Sequence, residues 1–233
     1  MRIGMALALL ATLAAGTGAT ARAATEATTW VEGEQYFRIE PVQPTNVAPG
    51  HVEVLEIFSY GCPACNAFYP VIDKLRAQLP AKAKLRYLPA SWHPEEGWKV
   101  FQRAYFAAEA LGVAERTHDA IFDAIWKSGE IGVIDPQTHG PKQFLPTIVE
   151  VSKVYARLGG VDAGKFVDAA HSFAVDAKMR EADAQIKAYQ ADATPTLIIN
   201  GKYRLTPRTA GSDDRFIELA RYLVQRELGG GAH

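Results

Sequence analysis

The strongest constraint on this chain is an almost continuously apolar run, Val52 to Tyr60, that passes through Gly61 straight into Cys62-Pro63-Ala64-Cys65. A run of that kind suits a strand buried on both faces. Glu56 interrupts it, and Gly61 breaks it. Cys62 then falls at a helix N-cap, and Pro63 falls at the first helical position, where its missing N–H costs nothing. Phe68, Val71, Ile72, Leu75 and Leu79 follow at helical spacing. Pro70 inside that stripe is expected to kink the helix. Lys84 to Leu88 reads as a second short strand. Strand, helix, strand is the opening of an α/β domain.

The chain has only two cysteines, Cys62 and Cys65. A Cys-x-x-Cys pair at the end of a strand is a redox motif by spacing and context. Dithiol exchange needs one exposed sulfur of lowered pKa and a second sulfur close enough to resolve a mixed disulfide. A helix N-terminus provides the first condition, because its free N–H groups and dipole favour a thiolate. Cys62 is therefore the expected nucleophile and Cys65, one turn further in, the resolving cysteine. Half a zinc site is the competing reading, but a closed site needs about four ligands. No two of His51, His93, His118, His139, His171 and His233 lie three to five residues apart. Haem attachment would need His where Asn66 stands. An inert disulfide would close too small a loop to stabilise much through chain entropy. No metal and no cofactor are expected.

From Trp98 to Tyr189 the pattern is almost wholly helical. Trp98, Phe101, Tyr105 and Ala108 share a face that Gly112 closes. Ala120 to Trp126 and Phe144 to Leu158 read as two further helices, with a loop at Asp135-Pro136 and Gly140-Pro141 between them. Val175, Met179, Ala182, Ile186 and Tyr189 mark a long fourth helix. Trp98, Tyr105 and Trp126 are expected in the core of this helical part. Strands then return: Leu197 to Ile199, the turn Asn200-Gly201, and Lys202 to Leu205 form a hairpin. Ser212 is placed to cap a last helix, with Asp213 and Asp214 at its positive end. Tyr36 to Val42 reads as an edge strand ended by Pro41 and Pro44. The expected architecture is α/β, one such domain with an all-helical domain inserted. Its parts are 24–96 and 189–228 for the α/β domain, 97–188 for the insertion, and a frayed tail over 229–233.

Arg2, the apolar run Ile3 to Ala15 and Ala21-Arg22-Ala23 resemble a secretory signal peptide, cleaved after about Ala23. The run is short for a bilayer span. Export implies an oxidising compartment. The chain has 25 Lys and Arg against 26 Asp and Glu; losing Arg2 and Arg22 leaves 23 against 26, a formal charge of −3. An acidic excess argues against nucleic acid as a partner. A monomer is the default state.

Two further features fit exchange chemistry. A carboxylate such as Glu56 inside a buried strand is costly unless paired or protonated. It is a local ion pair, an edge position facing water, or the proton acceptor for Cys65. Thr194-Pro195-Thr196 sits between a helix and a strand. It is either a plain helix stop or a cis X-Pro bond that presents the Thr194 backbone to a substrate strand beside the sulfurs. Sequence does not decide between cis and trans.

Val54-Leu55-Glu56-Ile57-Phe58-Ser59-Tyr60-Gly61-Cys62-Pro63-Ala64-Cys65, Thr194-Pro195-Thr196 and Asn200-Gly201-Lys202-Tyr203-Arg204-Leu205, in that order, resemble the DsbA family of periplasmic disulfide oxidoreductases. The likeness extends over essentially the whole chain after the leader. It implies a thioredoxin fold with an inserted helical domain, and donation of a disulfide to reduced, newly exported proteins. It also implies reoxidation by a quinone-linked membrane partner of the DsbB type. By position, Cys62 matches the nucleophile, Cys65 the resolving cysteine, Glu56 the buried acid and Pro195 the cis-proline. A disulfide isomerase or reductase of the same fold is the alternative within redox chemistry. A redox-inert peptide-binding chaperone is the alternative outside it.

Ala64 departs from the family pattern, in which the well-known oxidants carry His. A histidine there adds a donor or a positive charge near the thiolate. With Ala64, stabilisation rests on backbone N–H groups and the helix dipole. The Ala64→His variant is expected to shift the equilibrium of the purified protein against glutathione towards a more oxidising couple. An unchanged equilibrium would show that position 64 does not set the potential.

Overall fold

A computed structural model of the chain describes residues 29–135, 137–140 and 142–230. The leader expected over 1–23 lies outside the described residues, as do Pro136, Pro141 and the last three residues of the tail. Strand β2, Val52–Phe58, is buried at every position, as its composition requires of a strand covered on both faces. It pairs in parallel with β3, Ala83–Pro89, and antiparallel with β4, Thr196–Ile199. β4 turns through Asn200 and Gly201 into β5, Tyr203–Leu205. Both turn residues have positive φ, 53° and 66°, the backbone that a two-residue hairpin demands. A Cβ on Gly201 would also run into the Gln43 carbonyl. The short edge strand β1, Phe37–Arg38, pairs antiparallel with β5. The five-stranded order is β1-β5-β4-β2-β3. β1 is shorter than the expected 36–42.

Helix α1, Pro63–Gln78, links β2 to β3 and contains Pro70. It packs with α8, Asp213–Leu228, where Phe68 and Phe216 meet edge to face at 4.9 Å. Ser212 caps α8 through its hydroxyl, and Phe216, Leu219, Ala220 and Leu223 are buried. Asn200 and Lys202 reach the nearly buried Glu227 of α8, at 2.6 and 2.7 Å, and tie the hairpin to that helix.

Between β3 and β4 stand α2, Trp98–Ala110; α3, Ala114–Trp126; α4, Ile148–Gly159; α5, Ala163–Ala170; and α6, Phe173–Ala188. Three details differ from the sequence expectation. α3 begins six residues before Ala120, since Thr117 and His118 face inward there although they are polar. α4 begins at Ile148 rather than near Phe144, because Thr147 and Glu150 form a capping box and Phe144 is left 81% exposed. α5 is not among the expected helices: only Phe166 and Ala170 of its eight residues are buried, too few to leave a periodic signature. A fourth addition is the single-turn helix α7, Pro207–Ala210, before α8.

The helices grip the segment that precedes the cysteines. Trp126 Nε1 donates to the Tyr60 carbonyl at 2.8 Å, and Tyr60 Oη lies 2.9 Å from His118 Nδ1. Trp98 and Tyr105 are buried as expected, but Trp126 is only half-buried and works at this junction instead. Gly61 has no room for a side chain: a Cβ there would stand 2.7 Å from the Glu96 carbonyl and 2.8 Å from Trp98 Cδ1. Gly61→Ala should therefore lower stability by on the order of 1–3 kcal/mol, read as a lower urea midpoint at unchanged slope. A neutral result would mean that the 94–98 segment yields freely.

Candidate functional site

Cys62 is the N-cap of α1 and Pro63 its first residue. The Cys62 sulfur accepts the Cys65 N–H at 3.4 Å and the Thr194 hydroxyl at 3.2 Å, and its own thiol points to the Thr194 carbonyl at 3.7 Å. Both cysteines are free thiols, Cys62 6% exposed and Cys65 fully buried. Pro63 and Ala64 are exposed on the outer side of the turn.

Strand pairing explains how Thr194, so distant in sequence, reaches Cys62. Ile57 of β2 stands opposite Thr196 of β4. Antiparallel register carries the residues before Thr196 alongside the chain leaving β2. The Thr194-Pro195 bond is cis, which decides the question that sequence left open. Pro195 is buried, and Thr194 is partly exposed beside the sulfur.

The two thiols differ strongly in acidity. Cys62 is lowered to about 6, first because the Cys65 thiol donates to its thiolate, against burial, with help from the Thr194 hydroxyl and the N–H groups of Cys65 and Ala64. Cys65 is held well above the ordinary thiol value by burial, then by its bond to Cys62 and by the charges of Cys62 and Glu56. One sulfur is thus a thiolate near neutral pH and the other a protonated thiol.

Glu56 lies in the middle of β2, opposite Tyr87 of β3 and Leu197 of β4, and is 2% exposed. Burial pushes its carboxyl up to about 8, opposed by Arg76 and reinforced by Asp73, Asp119 and Cys62. It is not a local ion pair. The strand carries a second buried carboxylate that the apolar pattern alone does not single out: Glu53 accepts from Arg86 at 2.9 Å and from the Asn46 N–H at 3.1 Å. Among the described residues Glu53 has an ion-pair partner and Glu56 has none, although both interrupt the same apolar run. Their positions carry a signal, since Glu53 and Glu56 sit three apart and so on opposite faces of the strand.

Among the described residues, His93, Glu95 and Glu96 place donor atoms within 4.8 Å of one another. They sit on the turn before Trp98. His93 is already paired with Glu95 at 3.2 Å and Glu96 with Trp98 Nε1 at 3.0 Å.

A family model described as Thioredoxin matches residues 48–218. The thiol:disulfide interchange protein DsbA of Pseudomonas aeruginosa is 33% identical over 204 residues, 88% of this chain and 89% of its own. The protein of that name from Azotobacter vinelandii is 33% identical over 195 residues, 84% of this chain and 83% of its own. The crystal structure of the oxidoreductase DsbA from Xylella fastidiosa superposes with a TM-score of 0.74 at 30% identity, over 86% of this chain and 98% of that one. The chain belongs to the DsbA family. It has that family's thioredoxin fold with helices inserted between β3 and β4, and it is a thiol:disulfide oxidoreductase.

Because burial makes the Glu56 carboxyl harder to ionise, the stability of the fold depends on pH. The unfolded carboxyl ionises near 4.5 and the folded one near 8. The folded state therefore holds an extra proton between those values. Its contribution is fully present below about 4.5 and is lost as pH rises through about 8. In the oxidised protein, where Cys62 carries no charge, Glu56→Gln should gain stability over the parent by a few kcal/mol as pH goes from about 5 to about 9. Paired urea titrations at several pH values check this. A difference independent of pH would mean that Glu56 is ionised when folded.

Proposed function

We propose that this chain introduces disulfides into reduced, unfolded exported polypeptides in the periplasm. The chain holds Cys62 and Cys65 as a disulfide when it acts. A substrate thiolate attacks the Cys62 sulfur, the S–S bond to Cys65 breaks, and Cys65 leaves as a thiolate that takes the proton of Glu56. A second substrate thiolate then attacks the substrate sulfur of the mixed disulfide. The substrate leaves oxidised, and Cys62 leaves as a thiolate. Two electrons have passed from the substrate dithiol to the Cys62–Cys65 pair.

The observation that carries this reading is the acidity gap between the two sulfurs. A thiolate stabilised at Cys62 is a good leaving group and favours the reduced protein, which makes the disulfide oxidising. Thr194 and Pro195 line the sulfur where a substrate strand would lie, and Pro63 and Ala64 shape the exposed turn. Reoxidation requires the reverse sequence with an outside disulfide, and a quinone-linked membrane protein of the DsbB type suits that role. We assign the α/β domain to 24–96 and 189–228 and the helical insertion to 97–188. The chain acts as a monomer, and residues before about Ala23 serve as its export signal.

The test is the equilibrium of the Cys62–Cys65 pair against glutathione, with denaturation of both redox forms over a range of pH. The reduced form should be the more stable. The Cys62 thiol is depressed on folding, so this advantage is fully present above about 9 and is lost as pH falls through about 6. Cys62→Ser should abolish oxidation of a dithiol peptide. A strongly reducing couple, with the oxidised form more stable, would instead favour the reductase reading.

A further inference from the structure

The proton that Glu56 exchanges with Cys65 must be governed by the charges around a fully buried carboxyl. On α1, Asp73 and Arg76 form an ion pair at 2.6 Å. Arg76 also donates to the Tyr87 hydroxyl and sits over the Tyr87 ring, 5.9 Å from its centre. Tyr87 is the β3 residue directly opposite Glu56. From α3, Asp119 faces Asp73, and His118 lies against Tyr87 with ring centres 4.0 Å apart. His118 stays neutral, since burial and Arg76 push it down to about 3. β4 presents only Leu197 at this level. The groups around Glu56 are thus Asp73, Arg76 and the two cysteines on α1, Asp119 and neutral His118 on α3, and Tyr87 on β3. The nearest basic residue of β3, Arg86, is taken by Glu53.

Arg76 and Tyr87 also line a solvent-open cleft of about 410 Å³ with Glu115 and Arg116. The guanidinium, 43% exposed, therefore stands between water and the interior, and its field reaches Glu56 past the Tyr87 ring, partly screened by solvent. A purely structural role is available to Arg76: it lies in the last turn of α1, where a cation suits the helix dipole. That role predicts no effect on the titration of a group inside the sheet.

We propose that Arg76 is a positioning residue for thiol exchange: held by Asp73 and by Tyr87, the strand neighbour of Glu56, its charge sets the pH at which Glu56 takes the Cys65 proton. This rests on Glu56 being the proton acceptor for Cys65. The inserted helices take part, because Asp119 opposes Arg76 in the same cluster. Removing the cation must make Glu56 harder to ionise, and removing the Asp119 carboxylate must make it easier.

The experiment mixes reduced protein with excess oxidised glutathione. The Cys62 thiolate attacks one glutathione sulfur and expels a glutathione thiolate. Cys65 then loses its proton to Glu56 and attacks the Cys62 sulfur, closing the disulfide and releasing the second glutathione. The rate of this second step is followed against pH, and the Glu56 carboxyl is followed separately by infrared difference spectroscopy. Arg76→Met should raise both midpoints by about one pH unit and slow the step about tenfold below the midpoint. Asp119→Asn should lower both, and Arg76→Lys should stay near the parent. If Arg76→Met and Asp119→Asn leave the midpoints in place while Glu56→Gln abolishes the inflection, Glu56 keeps its role and Arg76 is a structural residue only. If Glu56→Gln retains the inflection, the proton acceptor is another group and the inference falls with it.

Discussion

The meeting of the α1 N-terminus with the Thr194 loop is the contact on which the rest of this molecule depends. A sulfur placed at the end of a helix receives backbone N–H groups that no other partner satisfies. The Cys65 N–H, the Cys65 thiol and the Thr194 hydroxyl converge on Cys62. None of these donors carries a charge. The thiolate is stabilised by dipoles fixed in advance, so little reorganisation accompanies its formation. Every larger feature serves to hold this geometry. β2 delivers the chain to Cys62, β4 brings Thr194 alongside, and Trp126 and His118 of the inserted helices together with the 94–98 turn hold Tyr60-Gly61 from behind.

The same site contains a cost. Among the described residues Glu56 is buried without an ion-pair partner, in a strand whose other carboxylate, Glu53, is bonded to Arg86 and to a backbone N–H. A packed apolar residue at position 56 would be the more stable choice. Under the proposed function the carboxyl carries the proton of Cys65, whose burial disfavours ionisation. Stability and reactivity therefore pull in opposite directions along one strand. The two buried groups also oppose each other in pH: raising pH favours the reduced form through Cys62 and weakens the fold through Glu56.

Much of the fold and site is legible in the sequence because it is local. Cys62 as N-cap, Pro63 at the first turn, the Asn200-Gly201 hairpin and the Ser212 cap depend on a few neighbouring residues and on backbone rules that hold anywhere. The elements that escape such a reading are those with weak local patterns. α5 buries only two side chains, and α4 starts where its capping box dictates rather than where Phe144 and its neighbours turn apolar. Trp126 reads as core because it is large and apolar. Its N–H has a use only once the Tyr60 carbonyl is brought near it by packing of α3.

The chemistry is written along the chain: two thiols one helical turn apart, at the end of a buried strand, with a carboxylate inside that strand. Those facts follow from spacing and periodicity along the chain. Which of the two carboxylates has an ion-pair partner among the described residues is set by the packed fold, because Glu53 and Glu56 point to opposite faces and Arg86 is bound to Glu53. Only the packed fold brought Thr194 to the sulfur across more than a hundred residues, through the register of β4 on β2. And only it placed Arg76, an exposed residue in the last turn of α1, against Tyr87, the β3 residue opposite Glu56. Electrostatic effects of that kind depend on distance and burial in three dimensions, which sequence separation does not encode.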